Sequence, residues 1–240
     1  YWLSEQAAAR QRAHTVGLVR SGEAILYARR EVKKFLDVGA GPGLLLDGLA
    51  KWFPDYSEMF HAVEMFPPDE HSAHPNYMIG SVSDLRKKFD AGVCIEVVEH
   101  LTPRMLDHLI AGLATVSAQD SLWLYNTGMP EFVKHEDPGY LDPRRRGHIV
   151  SYGFDGLRKL FEPHGFRLSE LPGMSFAFIA EYSPSAEPMP MDERFYKAIP
   201  ANKQFLEAAG ILYSAAFESA RSYFYQSESL NRAKWAQGLQ

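Results

Sequence analysis

The chain has 240 residues, 46% of them hydrophobic, enough to bury one sizeable core and at the upper end of a single domain. Twenty-five Lys and Arg against thirty Asp and Glu leave a net charge of -5, which excludes a global positive field drawing the protein to nucleic acid or to an anionic membrane. The single cysteine, Cys94, excludes an internal disulfide framework, and no stretch reaches the roughly 18 to 20 apolar residues that span a bilayer. Cys94 lies in the apolar run Val93-Cys94-Ile95 and reads as a buried thiol. With an N-terminus that lacks the basic-then-apolar plan of a signal peptide, it points to a cytoplasmic protein.

Residues 1–30, free of proline and rich in Ala, Arg, Glu and Leu, read as one or two helices ahead of the first strand. Residues 34–38 form a short apolar run closed by glycines, a buried strand followed by a turn. A helical face then runs over 44–53 until Pro54 stops it. Strands are expected over 59–64, 77–79 and 90–98, the last with the near-continuous apolar character of a central parallel strand, and with helical segments between them. Thr102-Pro103 places a capping hydroxyl and a proline at the start of a helix over 104–116, and a fifth strand follows at 121–125. Residues 127–150, with three prolines and three glycines, are too long for an ordinary connection and suggest a functional loop. A helix over 154–162 and strands over 166–171 and 175–182 complete the alternation, and the short Pro172-Gly173 connection suits an antiparallel hairpin. From about residue 191 the pattern turns helical and amphipathic, with Phe205, Leu206, Leu212, Tyr213, Phe217, Tyr223 and Phe224 among polar positions. The expected organisation is an N-terminal helical segment over 1–30, a doubly wound α/β domain over 31–190, and a helical C-terminal extension over 191–240. That extension is a candidate for packing on the sheet, for a lid, or for the interface of a homo-oligomer.

The chemistry concentrates at strand ends. A glycine turn directly after a strand and before a helix lets backbone approach a ligand and aims the helix N-terminus at it. Here Gly39-x-Gly41-x-Gly43 is followed by Leu44 where a dinucleotide fingerprint places its third glycine. Asp37, just before the turn, would repel a pyrophosphate yet pair with an ammonium. Both features point to an adenosine cofactor other than a dinucleotide.

The run Phe35-Leu36-Asp37-Val38-Gly39-Ala40-Gly41-Pro42-Gly43, with Cys94-Ile95-Glu96-Val97-Val98-Glu99-His100-Leu101, resembles the paired signatures of class I S-adenosylmethionine-dependent methyltransferases. The resemblance covers roughly residues 30–182 and implies a mostly parallel seven-stranded sheet of order 3-2-1-4-5-7-6. It implies S-adenosyl-L-methionine as cofactor, bound by Asp37, Gly39, Ala40, Gly41 and Gly43, with Glu64 on the ribose hydroxyls and Met65 beside it. It implies Ser81 and Val82 over the adenine edge, where many members carry Asp in place of Ser81, and Ile95 and Glu96 flanking adenine and the methionine portion.

The Glu96-x-x-Glu99-His100 group resembles a set found in ubiquinone-pathway O-methyltransferases and in small-RNA 3′-end 2′-O-methyltransferases, where it is associated with a divalent metal; in the RNA enzymes a downstream histidine completes it, and His148 is the candidate here. Two readings stand. In one, a metal ion sits among these ligands. In the other, His100 or His148 orients or deprotonates the acceptor without metal, or only makes a structural hydrogen bond. His148, in the long loop, is the first choice for a base, with a solvent-exposed loop histidine as the alternative.

The run Pro143-Arg144-Arg145-Arg146 is either an anion-binding fork or a solvated loop. Tyr125, Tyr140, Tyr152 and Phe154 either stack on an acceptor or belong to the core. The leading expectation is an O-methyltransferase of a small-molecule or sugar-like hydroxyl. The alternatives are an amino-sugar N-methyltransferase, a metal-assisted RNA-end methyltransferase, which net charge and the lack of an RNA-binding module disfavour, and a cofactor-binding scaffold.

Overall fold

The computed structural model of the chain describes residues 16–142, 144, 147–171, 176–210 and 233. Helix α1 (Leu18–Tyr27) precedes β1 (Phe35–Val38), α2 (Leu44–Trp52), β2 (Phe60–Glu64), β3 (Tyr77–Ile79) and β4 (Phe89–Ile95). There follow α3 (Pro103–Val116), β5 (Ser117–Asn126), α4 (Pro130–His135), α5 (Phe154–Phe161), β6 (Phe166–Glu170), β7 (Ala177–Tyr182), α6 (Met191–Tyr196) and α7 (Pro200–Ala209).

The strands form one seven-stranded sheet of order β3-β2-β1-β4-β5-β7-β6. Its first five members are parallel, and β7 pairs antiparallel with both β5 and β6. This is the α/β architecture and the strand order that the resemblance implied.

The sheet is buried on both faces, which is why its central strands read as continuous apolar runs rather than alternating ones. Side chains still alternate face by face. Phe35, Ala91, Val93, Leu122 and Leu124 join α1 and α2 in one core, whereas Leu36, Cys94, Trp123, Tyr125 and Phe178 join α3 and α5 in the other. Thr102 Oγ1 accepts from the Met105 N–H and caps α3, ahead of Pro103 at the first helical position.

Three details depart from the sequence expectations. The fourth strand stops at Ile95 rather than Val98, because Glu96 takes a left-handed φ of 56° and Val98–His100 winds into a 3-10 turn. The fifth begins at Ser117, since α3 runs directly into it. No helix crosses between β2 and β3; residues 65–76 form an irregular connection in which Pro67, Pro68 and Pro75 lack the N–H groups a helix requires.

The described part of the C-terminal extension packs on the sheet domain. Asn202 is buried: its Nδ2 donates to the Ile25 and Arg30 carbonyls at 3.1 and 2.9 Å, and its Oδ1 accepts from the Val32 N–H at 2.8 Å. Leu206 lies in the α1–α2 core, Phe205 meets Tyr56 edge-on at 4.8 Å, and Arg194 forms two hydrogen bonds with the Glu181 carboxylate at 2.9 and 2.7 Å. Asn202→Ala strands a buried N–H and two carbonyls, so stability is expected to fall by about 1–3 kcal/mol, read as a lower urea midpoint with unchanged slope. Leu212, Tyr213, Phe217, Tyr223 and Phe224, most of the N-terminal segment and the Pro172-Gly173 connection lie outside the described residues. No helix among the described residues is long and apolar enough to cross a membrane.

Candidate cofactor and acceptor site

The carboxyl ends of β1, β2, β4 and β5 converge on one edge of the sheet, where open α/β folds bind ligands. At the end of β1 the chain turns through Gly39, Gly41 and Gly43, with φ of 71°, 55° and 82°, a left-handed path that disfavours residues with a Cβ. A Cβ at Gly43 would come within 2.6 Å of the Ser72 side chain and 2.9 Å of the Tyr77 ring, and one at Gly39 would collide with Val97. The Gly39 and Ala40 N–H groups both donate to the Val63 carbonyl, so the turn is bolted to β2.

Glu64, the last residue of β2, spans the turn and the loop beyond it. Its Oε2 accepts from the Gly41 N–H at 2.8 Å and its Oε1 from the Phe66 N–H at 2.9 Å. Two of its roughly four acceptor positions are thereby used. Tyr77 donates its hydroxyl to the Gly41 carbonyl at 2.5 Å. The Asp37 carboxyl is buried and makes no side-chain hydrogen bond among the described residues; burial first, and the neighbouring Glu64 carboxylate second, push its pKa up to about 7.

Met65 and Phe66 stand exposed next to Glu64, at 51% and 71%. Ser81 is the N-cap of the 3-10 turn Val82–Asp84, in a capping box: its Oγ accepts from the Ser83 N–H and Asp84 accepts from the Ser81 N–H. Val82 is buried beneath it. Ile95 ends β4, and Glu96 follows in the strained left-handed region, which costs a non-glycine residue about 1–3 kcal/mol.

Glu96 is held by residues that the sequence did not single out. Asn126, last in β5, donates its amide to Glu96 Oε1 at 3.0 Å and accepts from Arg20 Nε at 2.9 Å. Arginine can only donate, so the orientation of the Asn126 amide is determined and its NH₂ must face Glu96. Arg20, buried in α1, also pairs with Glu23 at 2.5 Å and lies over the Phe176 ring.

Glu99, His100 and His148 present ligand atoms within 4.8 Å of one another, a separation compatible with a shared metal ion. Glu99 is fully buried and neither of its carboxyl oxygens is paired at hydrogen-bonding geometry among the described residues, although Thr127, Glu96 and Tyr140 lie beside it. Burial pushes its carboxyl above the usual range. Nδ1 of His100 lies 3.1 Å from the Gly147 carbonyl and Nδ1 of His148 lies 3.0 Å from the Tyr140 carbonyl. Carbonyl oxygens only accept, so in both rings Nδ1 carries a proton; Nε2 of His148 lies 3.8 Å from Glu99 Oε1. His148 is thus a buried residue, 2% exposed, and not the solvent-facing loop histidine of the alternative reading.

The structure therefore groups the predicted positions into a glycine-turn cluster (Asp37, Gly39, Ala40, Gly41, Gly43, Glu64, with Met65 adjoining) and a second cluster at the β4 and β5 ends (Glu96, Glu99, His100, His148). Tyr125 and Tyr152 are core residues, Tyr125 stacking on Phe178 at 4.7 Å. Arg144 is exposed; Pro143, Arg145 and Arg146 lie outside the described residues. Arg20, Asn126, Gly128 and the structural use of Tyr140 escaped sequence reasoning. Asn126 carried one signal, a polar residue closing a buried strand.

No family model matches the chain, and no curated protein matches it. Solved structures do match by fold. Magnesium protoporphyrin IX methyltransferase from Synechocystis PCC 6803, with bound S-adenosylhomocysteine, superposes with a TM-score of 0.51 at 16% identity, covering 76% of this chain and 97% of that one. An S-adenosylmethionine-bound amino pentose methyltransferase of calicheamicin biosynthesis from Micromonospora echinaspora gives 0.52 at 15% identity, over 75% and 97%. An O-methyltransferase of neocarzinostatin biosynthesis, in complex with S-adenosyl-L-homocysteine and 1,4-dihydroxy-2-naphthoic acid, gives 0.53 at 13% identity, over 75% and 56%. The chain has the Rossmann-like fold of these methyltransferases.

Proposed function

We propose that the chain is an S-adenosylmethionine-dependent methyltransferase whose acceptor is a hydroxyl of a small or sugar-like molecule. The observation that carries this reading is the buried Asp37 carboxylate, uncompensated beneath a glycine turn that Glu64 holds from the neighbouring strand. A ligand with an ammonium group and a ribose satisfies both acids, and the methyltransferases with this fold were solved with such ligands bound. In this assignment Asp37 receives the ammonium, and the Glu64 acceptor positions left by Gly41 and Phe66 receive the ribose hydroxyls. When bound, the cofactor supplies an activated methyl group on a sulfonium, displaced in line, so the protein's main task is alignment.

His148 is assigned as the base. Its Nδ1 donates to the Tyr140 carbonyl, so Nε2 is the ring atom that would take the proton of an acceptor hydroxyl, a step an amine nucleophile needs less. His100, in the same tautomer, stands beside it with ring centroids 4.9 Å apart.

A second, metal-assisted reading rests on Glu99. A buried carboxyl whose oxygens reach no partner at full hydrogen-bonding geometry, with Thr127, Glu96 and Tyr140 beside it and two histidines whose Nδ1 atoms face carbonyls, is a donor set that fits a divalent ion such as Mg, Mn or Zn. Such an ion would lower the pKa of a bound hydroxyl.

Calorimetric titration with S-adenosylmethionine and S-adenosylhomocysteine, with and without magnesium, tests both. Binding is expected for the unaltered protein and lost in Glu64→Ala; no binding to the unaltered protein overturns the methyltransferase reading. A magnesium effect that Glu99→Gln abolishes supports the metal. Methylation of an acceptor that proceeds undiminished in the presence of a chelator overturns it.

A further inference from the structure

We infer that Gly128 and Tyr140 are positioning residues for His148, acting as a clasp that fixes which ring nitrogen the histidine presents. The inference deepens the assignment of His148 made above and rests on it for its catalytic meaning.

The clasp closes on a single residue. The Gly128 N–H donates to the Tyr140 hydroxyl at 2.7 Å, and the Gly128 carbonyl accepts from Ser151 Oγ at 2.8 Å. Gly128 lies two residues beyond the end of β5, and both flanks of the His148 segment, Tyr140 before it and Ser151 after it, return to that one residue. The Tyr140 ring lies on the α-carbon of Gly128, where a Cβ would fall 2.5 Å from ring atoms, so only glycine admits the ring. Tyr140 is 3% exposed. Its carbonyl then takes the Nδ1 proton of His148 at 3.0 Å, with the rings 4.3 Å apart.

Beyond His148 the register is held a second time. The Ile149 N–H donates to the Glu99 carbonyl at 2.9 Å, and Gly147, at a left-handed φ of 72°, turns its own carbonyl toward His100 Nδ1. The segment is thus tied on three sides to elements that precede it in the chain. A histidine whose only restraint was packing could flip its ring or exchange tautomer. This one has an acceptor-only group fixed opposite Nδ1, so Nε2 is committed to the side where Glu99 lies.

Long-range ¹H–¹⁵N spectra of the 240-residue chain, ¹⁵N-labelled at histidine and without added ligand, test the clasp. The His148 signals are assigned by their loss in His148→Gln. The unaltered protein is expected to show the Nδ1–H tautomer at His148. Gly128→Ala and Tyr140→Ala are expected to lose it in favour of an exchanging mixture, with Tyr140→Phe, which keeps the ring but not the hydroxyl, falling between. If either clasp variant fails to fold, Ser151→Ala carries the comparison, with a partial shift in the same direction. Retention of the Nδ1–H tautomer across folded variants overturns the inference, even where they melt earlier, because a merely structural clasp lowers stability and leaves the tautomer alone. Titration with S-adenosylmethionine on the same samples separates the two levels: clasp variants that lose the tautomer and keep cofactor affinity support the inference. An unaltered protein that binds no cofactor overturns the methyltransferase reading without touching the tautomer result.

Discussion

Asp37→Asn is expected to stabilise the ligand-free protein above neutral pH and, in the same molecule, to remove S-adenosylmethionine binding. The acid's pKa is about 7 in the folded state against a reference of 3.8, because burial and then Glu64 oppose its charge. A folded pKa above the unfolded one means a contribution to stability that is fully present below pH 3.8 and lost as pH rises through about 7. Holding the carboxyl at about 7 instead of 3.8 corresponds to something on the order of 4 kcal/mol of destabilisation once the group is ionised. Asparagine has the same shape and no charge, so the variant's melting temperature should exceed that of the unaltered protein by an amount that grows from pH 5 to pH 8. The gain is smaller than the full figure, since an unpaired buried amide is itself unfavourable. A pH-independent difference would mean that Asp37 ionises as an ordinary carboxylate. Cofactor binding runs the other way. If an ammonium pairs with ionised Asp37, affinity should rise about tenfold per pH unit below 7 and level off above it, with proton release on binding.

Gly92→Ala is expected to cost at least about 3 kcal/mol, at the upper end of what overpacking does. Gly92 lies in the middle of β4, paired with Leu36 on β1 and with Trp123 on β5. A Cβ there collides with the Leu36 carbonyl and with the Trp123 indole, and neither can yield cheaply. The carbonyl belongs to a buried strand. The indole is fully buried and donates Nε1 to Ser117 Oγ at 3.0 Å. Gly156→Ala is the control: it sits exposed on α5 with nothing within 4 Å of a Cβ, so the same chemical change should stabilise by about 0.4–1 kcal/mol through the unfolded chain. Urea titration of the two variants checks the contrast, and equal effects would refute the packing argument.

Much of the glycine-turn cluster was legible because it is local. Asp37, the three glycines and Leu44 lie within eight positions of sequence, and an apolar strand, a left-handed turn and a helix start each leave a mark in residue type. Glu64 was legible as an acid closing a second apolar run. The limits came where neighbours in space are remote in sequence. Nothing in α1 marks Arg20 as the partner of Asn126, 106 positions away. The long loop was visible as a gap between elements. That Tyr140 and Ser151 both return to Gly128, and that His148 is buried against Glu99, depended on where β4 and β5 placed the loop's anchors.

The sequence by itself determined the elements, the class of fold and the acids and glycines at the strand ends, because backbone propensity and apolar patterning act over a few residues. Tertiary structure alone decided the environments: a carboxylate at Asp37 becomes an acid of pKa about 7 only when the sheet and Glu64 enclose it, and two histidines become a matched pair only when the backbone carbonyls opposite them fix their protons. Charge and tautomer answer to desolvation and to the nearest fixed dipole, and those are set by the packing of distant segments.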